Sequence, residues 1–166
     1  MITVAVERTT QSSPQVLIDG IWSGLEWKRH RSGILGLAIE YDDACHQSVQ
    51  VCVDWRPRYL SMSVVRFRDS ATRISFFYSR LPPGVVQQLG VWEASAVDGG
   101  CCLRLVRKVQ LQRGRTESAA LFRAREEAHR ILLEGHLREH LGLILDVEGQ
   151  HAGGETKPGP VVWGPI

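Results

Sequence analysis

The stretch Leu60-Ser-Met-Ser-Val-Val-Arg66 decides the fold of this chain. Leu60, Met62 and Val64 alternate with serines, which is the period of a β-strand that is buried on one face. Arg66 continues the alternation and is therefore expected on the apolar face. Because a guanidinium keeps its charge at neutral pH, it needs a carboxylate, a carbonyl oxygen or a route to solvent there. Arg66 is thus either a structural residue paired with a neighbour or a binding residue that meets a ligand.

Length and composition are those of one ordinary globular domain. The chain has 166 residues, 43% of them hydrophobic and 23% charged, with a formal net charge of +2. A chain of this size can bury enough surface to fold without disulfide bonds or a structural metal ion. Its charges of both signs are scattered, which argues against a nucleic-acid surface or a membrane anchor. No signal peptide and no membrane-spanning apolar run is recognised, so the cytosol is the expected location.

The cysteines and histidines offer no strong metal or redox motif. The chain has no C-x-x-C spacing, and we expect all four cysteines to be reduced: Cys45, Cys52, Cys101 and Cys102. The segment His136-Leu-Arg-Glu-His140 matches the H-x-x-E-H pattern of inverted zinc peptidases. No compelling third ligand follows it, so we prefer an exposed, charged helix end and expect no metal or cofactor.

The predicted elements are a strand, two short helices, six further strands and a long helix. Strands are predicted over residues 2–7, 34–41, 48–55, 59–68, 73–79, 90–97 and 101–112. Ser13 and Pro14 are typical of a helix start, and they predict a helix to about residue 22, with a second short helix over 25–30. Thr116 is the expected N-cap of a helix over 117–143, with an apolar stripe of Leu121, Ala124, Ala128, Ile131 and Leu132.

The predicted fold follows from this order of elements. Consecutive antiparallel strands with short connections form a curved meander, and a long amphipathic helix would cover its concave face. We therefore predict an α+β domain over residues 1–146. The glycine- and proline-rich segment 147–166 is expected to be a disordered tail. A cavity between helix and sheet is the expected place for a ligand.

This order resembles the helix-grip fold of START-like and Bet v 1-like proteins, with about seven strands wrapped around a C-terminal helix. Within it, the spacing of Arg66, Arg73, Trp92 and the Gly99-Gly100 hairpin resembles that of single-domain aromatase/cyclases from bacterial type II polyketide synthases. The Glu26-Trp27 pair and Pro14 align with that family more loosely. The specific resemblance therefore rests on the central strands.

The chain departs from that family at several positions of the expected cavity. Leu60 and Met62 stand where the resemblance leads us to expect tryptophans, and Val64 where we expect a serine. On the strand after the hairpin, Leu105 and Arg107 stand in place of an expected tryptophan and glutamine. The resemblance therefore implies a less aromatic cavity with a different set of polar groups.

By this resemblance the substrate is a poly-β-ketone tethered to an acyl carrier protein. The implied reaction is an intramolecular aldol closure followed by loss of water to give an aromatic ring. Such a reaction needs an oriented substrate, a fixed positive donor for the developing enolate oxygen, and exclusion of water. Arg66 suits the role of donor because it is permanently charged. It is a poor base, so proton removal falls to Tyr78, Glu127 or a bound water.

The remaining candidates line the predicted cavity. Arg107 alternates with Leu103, Leu105 and Val109, which predicts an inward-facing arginine. Two inward arginines would repel each other unless a carboxylate or an anionic ligand lay between them. The predicted substrate-binding set comprises Met62, Val64, Tyr78, Trp92, Leu105, Arg107, Glu127 and Trp27. Core packing of Trp92 and Tyr78, and an exposed ion pair at Glu127, stay open as alternatives.

Two other functions stay open beside the enzyme. A helix-grip protein without catalytic activity would carry or sense a hydrophobic small molecule in the same cavity. An interaction module would instead fill the inner face of the sheet with bulky side chains. Neither nucleic acid nor a membrane is an expected partner, and the sequence leaves a homodimer open.

Overall fold

The computed structural model describes residues 1–24, 34–55 and 58–151. Within these ranges, one antiparallel sheet contains β1 (Ile2–Thr10), β2 (Ile34–Asp42), β3 (His46–Trp55), β4 (Arg58–Ser70), β5 (Arg73–Arg80), β6 (Val85–Val97) and β7 (Gly100–Leu111). Helix α1 (Pro14–Trp22) follows β1, and helix α2 (Ala119–His151) follows β7. The strand order is β1-β7-β6-β5-β4-β3-β2, so β2 to β7 form a meander and β1 joins the edge at β7. The predicted seven-stranded α+β architecture is confirmed.

Helix α1 begins where the sequence predicts. The Ser13 hydroxyl caps it by accepting a hydrogen bond from the backbone N–H of Val16 at 3.4 Å, and Pro14 occupies the first turn. The helix ends at Trp22, and Gly24 then adopts a φ of 76°, which glycine tolerates without strain. The helix buries an apolar stripe against β5, β6 and β7: Leu17, Ile18 and Ile21. The second short helix, expected over 25–30, lies outside the described residues.

Alternation of the side chains gives the sheet an inner face, which packs against the two helices, and an outer face. On β4 the predicted alternation is confirmed, since Val64 is 1% exposed and Arg66 only 3%. The inner face continues across the sheet through buried apolar side chains: Val4, Val49, Ile74, Phe76, Tyr78, Trp92, Leu103, Leu105 and Val109. Outward-facing neighbours on β7, such as Arg104 and Lys108, are exposed. The core therefore lies between the inner face and the helices.

Helix α2 begins and ends later than predicted. It starts at Ala119, and the Ser118 hydroxyl accepts a hydrogen bond from the backbone N–H of Leu121 at 3.2 Å, so Ser118 replaces the expected cap Thr116. The helix continues to His151, beyond the expected end of the domain at residue 146. Neither helix of the described chain carries an apolar stretch long enough to cross a bilayer.

The face of α2 that packs against the sheet is not the predicted one. Leu121, Ile131 and Leu132 are 60%, 58% and 63% exposed, so the stripe predicted as buried faces solvent. The buried stripe is instead Leu133, Leu137, His140 and Leu141. The helix carries apolar residues at helical spacing on two sides, and periodicity alone does not tell which of them meets the sheet. Contact with β1 and β7 selects the second stripe.

Candidate functional site

One register row crosses the inner face and brings polar and aromatic residues together. From β3 to β1, the Cα partners in this row are Gln47, Arg66, Phe76, Gly90, Arg107 and Val4. We call these six residues the arginine row. Phe76 and Gly90 separate the two arginines, whose Cα atoms lie roughly 14 Å apart at the usual spacing of neighbouring strands. The repulsion expected between two inward arginines is therefore weakened by distance.

The guanidinium of Arg66 is bound to the end of helix α1. Its Nη2 donates to the carbonyl oxygens of Ile21 and Trp22 at 2.7 and 2.8 Å. Its Cζ also lies 5.3 Å from the centroid of the Trp22 ring. The last carbonyls of a helix lack partners within the helix and carry partial negative charge, so a buried cation is well placed there. Arg66 therefore anchors α1 to β4.

Gln47 supports the same anchor from β3. Its side chain is 1% exposed, and its Nε2 donates to the carbonyl oxygen of Trp22 at 3.2 Å. Arg66 and Gln47 thus both donate to the end of α1. For Arg66, this is the structural role that the sequence left open. Nothing in the sequence pointed to Gln47, since one glutamine on a strand carries no pattern of its own. The predicted catalytic role of Arg66 stays a prediction.

Arg107 is held differently. Its Cζ lies 5.7 Å from the ring centroid of Phe76 and 5.6 Å from that of Tyr78. Its Nε is buried and has no hydrogen-bond partner in the part of the chain that the structure describes. No ion pair of the described residues includes Arg107. Aromatic faces stabilise a cation, but they leave a buried N–H donor without an acceptor.

Gly90 makes the contact between Phe76 and Arg107 sterically feasible. It lies between these residues in the arginine row, and a Cβ atom there would come within 2.4 Å of Phe76 Cζ and 2.5 Å of the Val106 carbonyl oxygen. The Phe76 ring therefore lies over the backbone of β6 and reaches toward β7. The sequence predicts that this strand begins at Gly90, whereas β6 begins at Val85. A glycine inside a strand is the sequence signal of such a close approach.

Most of the other predicted lining residues surround the arginine row. Buried on the inner face are Val64, Tyr78, Trp92 and Leu105, and Met62 is half-buried. The Trp92 ring packs edge-on against His140 of α2, with ring centroids 5.4 Å apart. His140 was not among the predicted lining residues, and its only sequence signal was the H-x-x-E-H motif.

That motif is divided between two environments. His136 is exposed, whereas His140 is 8% exposed and packs on Trp92. Among the described residues, no group of three or more histidine, cysteine, aspartate or glutamate side chains is arranged to hold a metal ion. The expected exposed, charged helix end therefore describes His136 and is wrong for His140, which packs against the sheet.

Glu127 lies away from the arginine row. It is exposed on α2, and its carboxylate accepts hydrogen bonds from Arg130 at 2.7 and 2.9 Å. These hydrogen bonds hold the pKa of Glu127 below its usual value. The exposed ion pair, left open as an alternative, describes this residue, so Tyr78 is the predicted proton acceptor that the structure brings to the row. Trp27 lies outside the described residues.

Known structures share this architecture, although no protein-family model and no curated protein sequence matches the chain. The ZhuI aromatase/cyclase from Streptomyces sp. R1128 matches with a TM-score of 0.70 and 17% identity, over 92% of this chain and 98% of that chain. The di-domain aromatase/cyclase StfQ from the steffimycin biosynthetic pathway matches with a TM-score of 0.74 and 14% identity. That match covers 92% of this chain and 53% of StfQ.

A START superfamily protein from Mycobacterium smegmatis has the same fold, with a TM-score of 0.55 and 12% identity over 84% of this chain and 99% of that chain. The chain therefore has the helix-grip fold of START-like proteins and polyketide aromatase/cyclases, as the sequence predicted. At these identities the likeness establishes the fold, and the chemistry has to be argued from this chain's own residues.

Proposed function

We propose that this protein works in the cytosol as a polyketide aromatase/cyclase on a poly-β-ketone held by an acyl carrier protein. The observation that carries the proposal is the arginine row, which has two cations on the largely apolar inner face of a helix-grip sheet. A poly-β-ketone is a flexible, largely apolar chain studded with carbonyl oxygens. An apolar surface would contact the carbon chain of such a substrate, and fixed cations would bind its carbonyl oxygens.

The proposed reaction proceeds in two balanced steps. A base removes a proton from a methylene between two carbonyls, and the resulting carbanion attacks a carbonyl carbon farther along the same chain. The oxygen of the attacked carbonyl takes up the proton that the base removed and becomes a hydroxyl. This hydroxyl then leaves as water together with a hydrogen from the adjacent carbon. Enolisation of the remaining carbonyls gives the aromatic ring. During the first step the charge resides mainly on the enolate oxygen, and a nearby guanidinium would lower its energy.

The inner face supports the other requirements of this chemistry. Trp92, Met62 and Leu105 supply apolar area that would orient the chain and exclude water. An arginine does not accept a proton at neutral pH, so the base is either the Tyr78 hydroxyl or a bound water. Tyr78 is the better placed of the two predicted side chains, because Glu127 is exposed on α2.

A second function competes with this one, namely non-catalytic binding of a hydrophobic molecule in the same space. The hydrogen bonds from Arg66 to the end of α1 favour this second function, because a cation that already donates to protein carbonyls is less available for catalysis. A carrier would bind an aromatic product and leave the distribution of products unchanged.

Reconstitution with a minimal polyketide synthase, consisting of the ketosynthase pair and its carrier protein, tests the proposal. We expect addition of the protein to replace a mixture of spontaneously cyclised products by one aromatic product. An unchanged mixture in the presence of folded protein contradicts the enzyme proposal. Tight binding of an aromatic product in that case supports the carrier.

A further inference from the structure

We infer that Arg107, rather than Arg66, is the cation that meets the ligand, and that the site it forms selects an oxyanion attached to a planar or apolar ligand. The inference rests on the proposed function for the identity of the substrate. Its ligand chemistry, however, comes from Arg107 and its surroundings and is testable by binding alone.

The arginines of the inner face differ in their partners. On β4, Arg66 donates to two helix carbonyls, and Arg68 forms an ion pair with Asp19 of α1. The side chain of Arg107 has no hydrogen bond or ion pair with any of the described residues, and its guanidinium lies against the rings of Phe76 and Tyr78. The donors of its guanidinium are therefore not used by the described residues, and we assign them to a ligand.

This arrangement leaves a buried donor of Arg107 without an acceptor among the described residues. Burying a polar N–H without an acceptor costs free energy, and native proteins avoid this except where a water, an ion or a ligand completes the site. Two aromatic faces attract the cation but accept no conventional hydrogen bond from it. An anionic oxygen is the acceptor that best completes a charged donor, since such hydrogen bonds are roughly twice as strong as neutral ones.

The neighbouring strands shape the surroundings of the Arg107 side chain. Arg107 occupies the inner face of β7, next to Gly90 on β6 and Val4 on β1. Gly90 leaves the space into which the Phe76 ring projects, so the aromatic contact with the guanidinium depends on a residue without a side chain. The rings restrict the guanidinium and reduce the rotamer freedom lost when a ligand binds.

An enolate, a phenolate and a carboxylate all present the same anionic oxygen. Two probes distinguish them. Naphthalene-2-carboxylate, compared with neutral naphthalene-2-carboxamide of the same shape, reports selection of a carboxylate. 4-Nitrophenol reports selection of a phenolate or enolate, because its absorption spectrum changes visibly when the bound phenol loses its proton.

The experiment compares four proteins in calorimetric and absorption titrations. Arg107→Gln removes the charge, and Arg107→Lys keeps it without the planar fork. Lys108→Gln removes the same charge from the exposed outer face of the same strand and is the matched control. Circular dichroism establishes that each variant is folded.

We expect wild type and Lys108→Gln to bind the anionic form of at least one probe about tenfold more tightly than its neutral form. Arg107→Gln should lose that preference, and Arg107→Lys should retain part of it. A preference that survives in Arg107→Gln, or absence of any charge preference in wild type, overturns the inference.

The binding titrations and the product analysis test the oxyanion site and the cyclase activity separately. If Arg107 selects the anionic probe but the protein does not redirect polyketide products, the oxyanion site stands and the cyclase proposal fails. If the protein redirects products while the probe preference is independent of Arg107, the cyclase proposal stands and the oxyanion site fails.

Discussion

Arg66 on β4 and Trp22 at the end of α1 are joined twice, by a hydrogen bond of 2.8 Å from Nη2 to the Trp22 carbonyl oxygen and by the Trp22 ring, whose centroid lies 5.3 Å from Cζ. The same nitrogen donates to the Ile21 carbonyl at 2.7 Å. A buried cation on an apolar strand face thus has a carbonyl partner supplied by the protein itself. This relationship makes Arg66 a positioning residue for α1 and distinguishes it from Arg107.

Replacing Arg66 by methionine should destabilise the fold. The change leaves the Ile21 carbonyl without the hydrogen bond from Arg66 and removes a charge-assisted contact from the end of α1, for which we expect a loss of about 2–4 kcal/mol. Urea unfolding followed by circular dichroism measures the free energy of unfolding directly.

The matched change, Arg107→Met, should alter the free energy of unfolding by less than about 1 kcal/mol, since it removes a buried donor that has no acceptor among the described residues. Equal losses in the two variants would contradict the division of roles between these arginines.

Gly90→Ala should be strongly destabilising. The new Cβ would meet both the Phe76 ring and the Val106 backbone, and backbone cannot move aside as a flexible side chain can. We expect a loss of about 2–3 kcal/mol, which thermal unfolding would register. Gly36→Ala is the control, because the nearest atom to a Cβ there is Cys52 Cβ at 3.9 Å, an ordinary contact. A Gly90→Ala variant as stable as Gly36→Ala would show that Phe76 does not lie over β6.

The ion pair between Arg68 and Asp19 should make part of the stability depend on pH. The hydrogen bond from Arg68, helped by one from Gln15, lowers the pKa of Asp19 from its ordinary value of 3.8. A lowered carboxyl pKa stabilises the fold above that ordinary value, and the contribution is lost as the pH falls through the folded pKa. Because Asp19 is half exposed, the effect is at most about 1 kcal/mol.

The midpoints of urea unfolding of wild type and Arg68→Gln, measured at about pH 7 and about pH 3, check this prediction. Arg68→Gln should be less stable than wild type at the higher pH, and the difference should shrink at the lower one. Arg104→Gln removes an exposed arginine that has no ion pair among the described residues, and it serves as the control. A difference between wild type and Arg68→Gln that is constant with pH would contradict the role of Asp19.

The sequence predicted those features of the fold that depend on local pattern. Alternation in β4 placed Arg66 and Val64 on one buried face, and Ser13 with Pro14 marked the start of α1. The strand order was predictable because short turns make consecutive strands neighbours in the sheet, and such neighbours form a meander. Each of these predictions needs only the spacing of apolar residues or the presence of turn and cap residues, and a single sequence displays both.

Features that depend on tertiary contact were not predictable. The stripe of α2 containing Ile131 was expected to be buried, but the helix packs through Leu137 and its neighbours, because two stripes have similar spacing and only the sheet distinguishes them. The same limit applies to the candidate site. Alternation placed both Arg66 and Arg107 inward, yet their different roles arise from the end of α1 and from the Phe76 ring, which approach from other parts of the chain.

The most direct test of the role of Arg107 is product analysis with the minimal polyketide synthase, comparing wild type, Arg107→Gln and Lys108→Gln. We expect one aromatic product with wild type and with Lys108→Gln. With folded Arg107→Gln we expect a return to the mixture that forms without the protein. Retention of the single product by Arg107→Gln would contradict the claim that Arg107 stabilises the reacting oxygen.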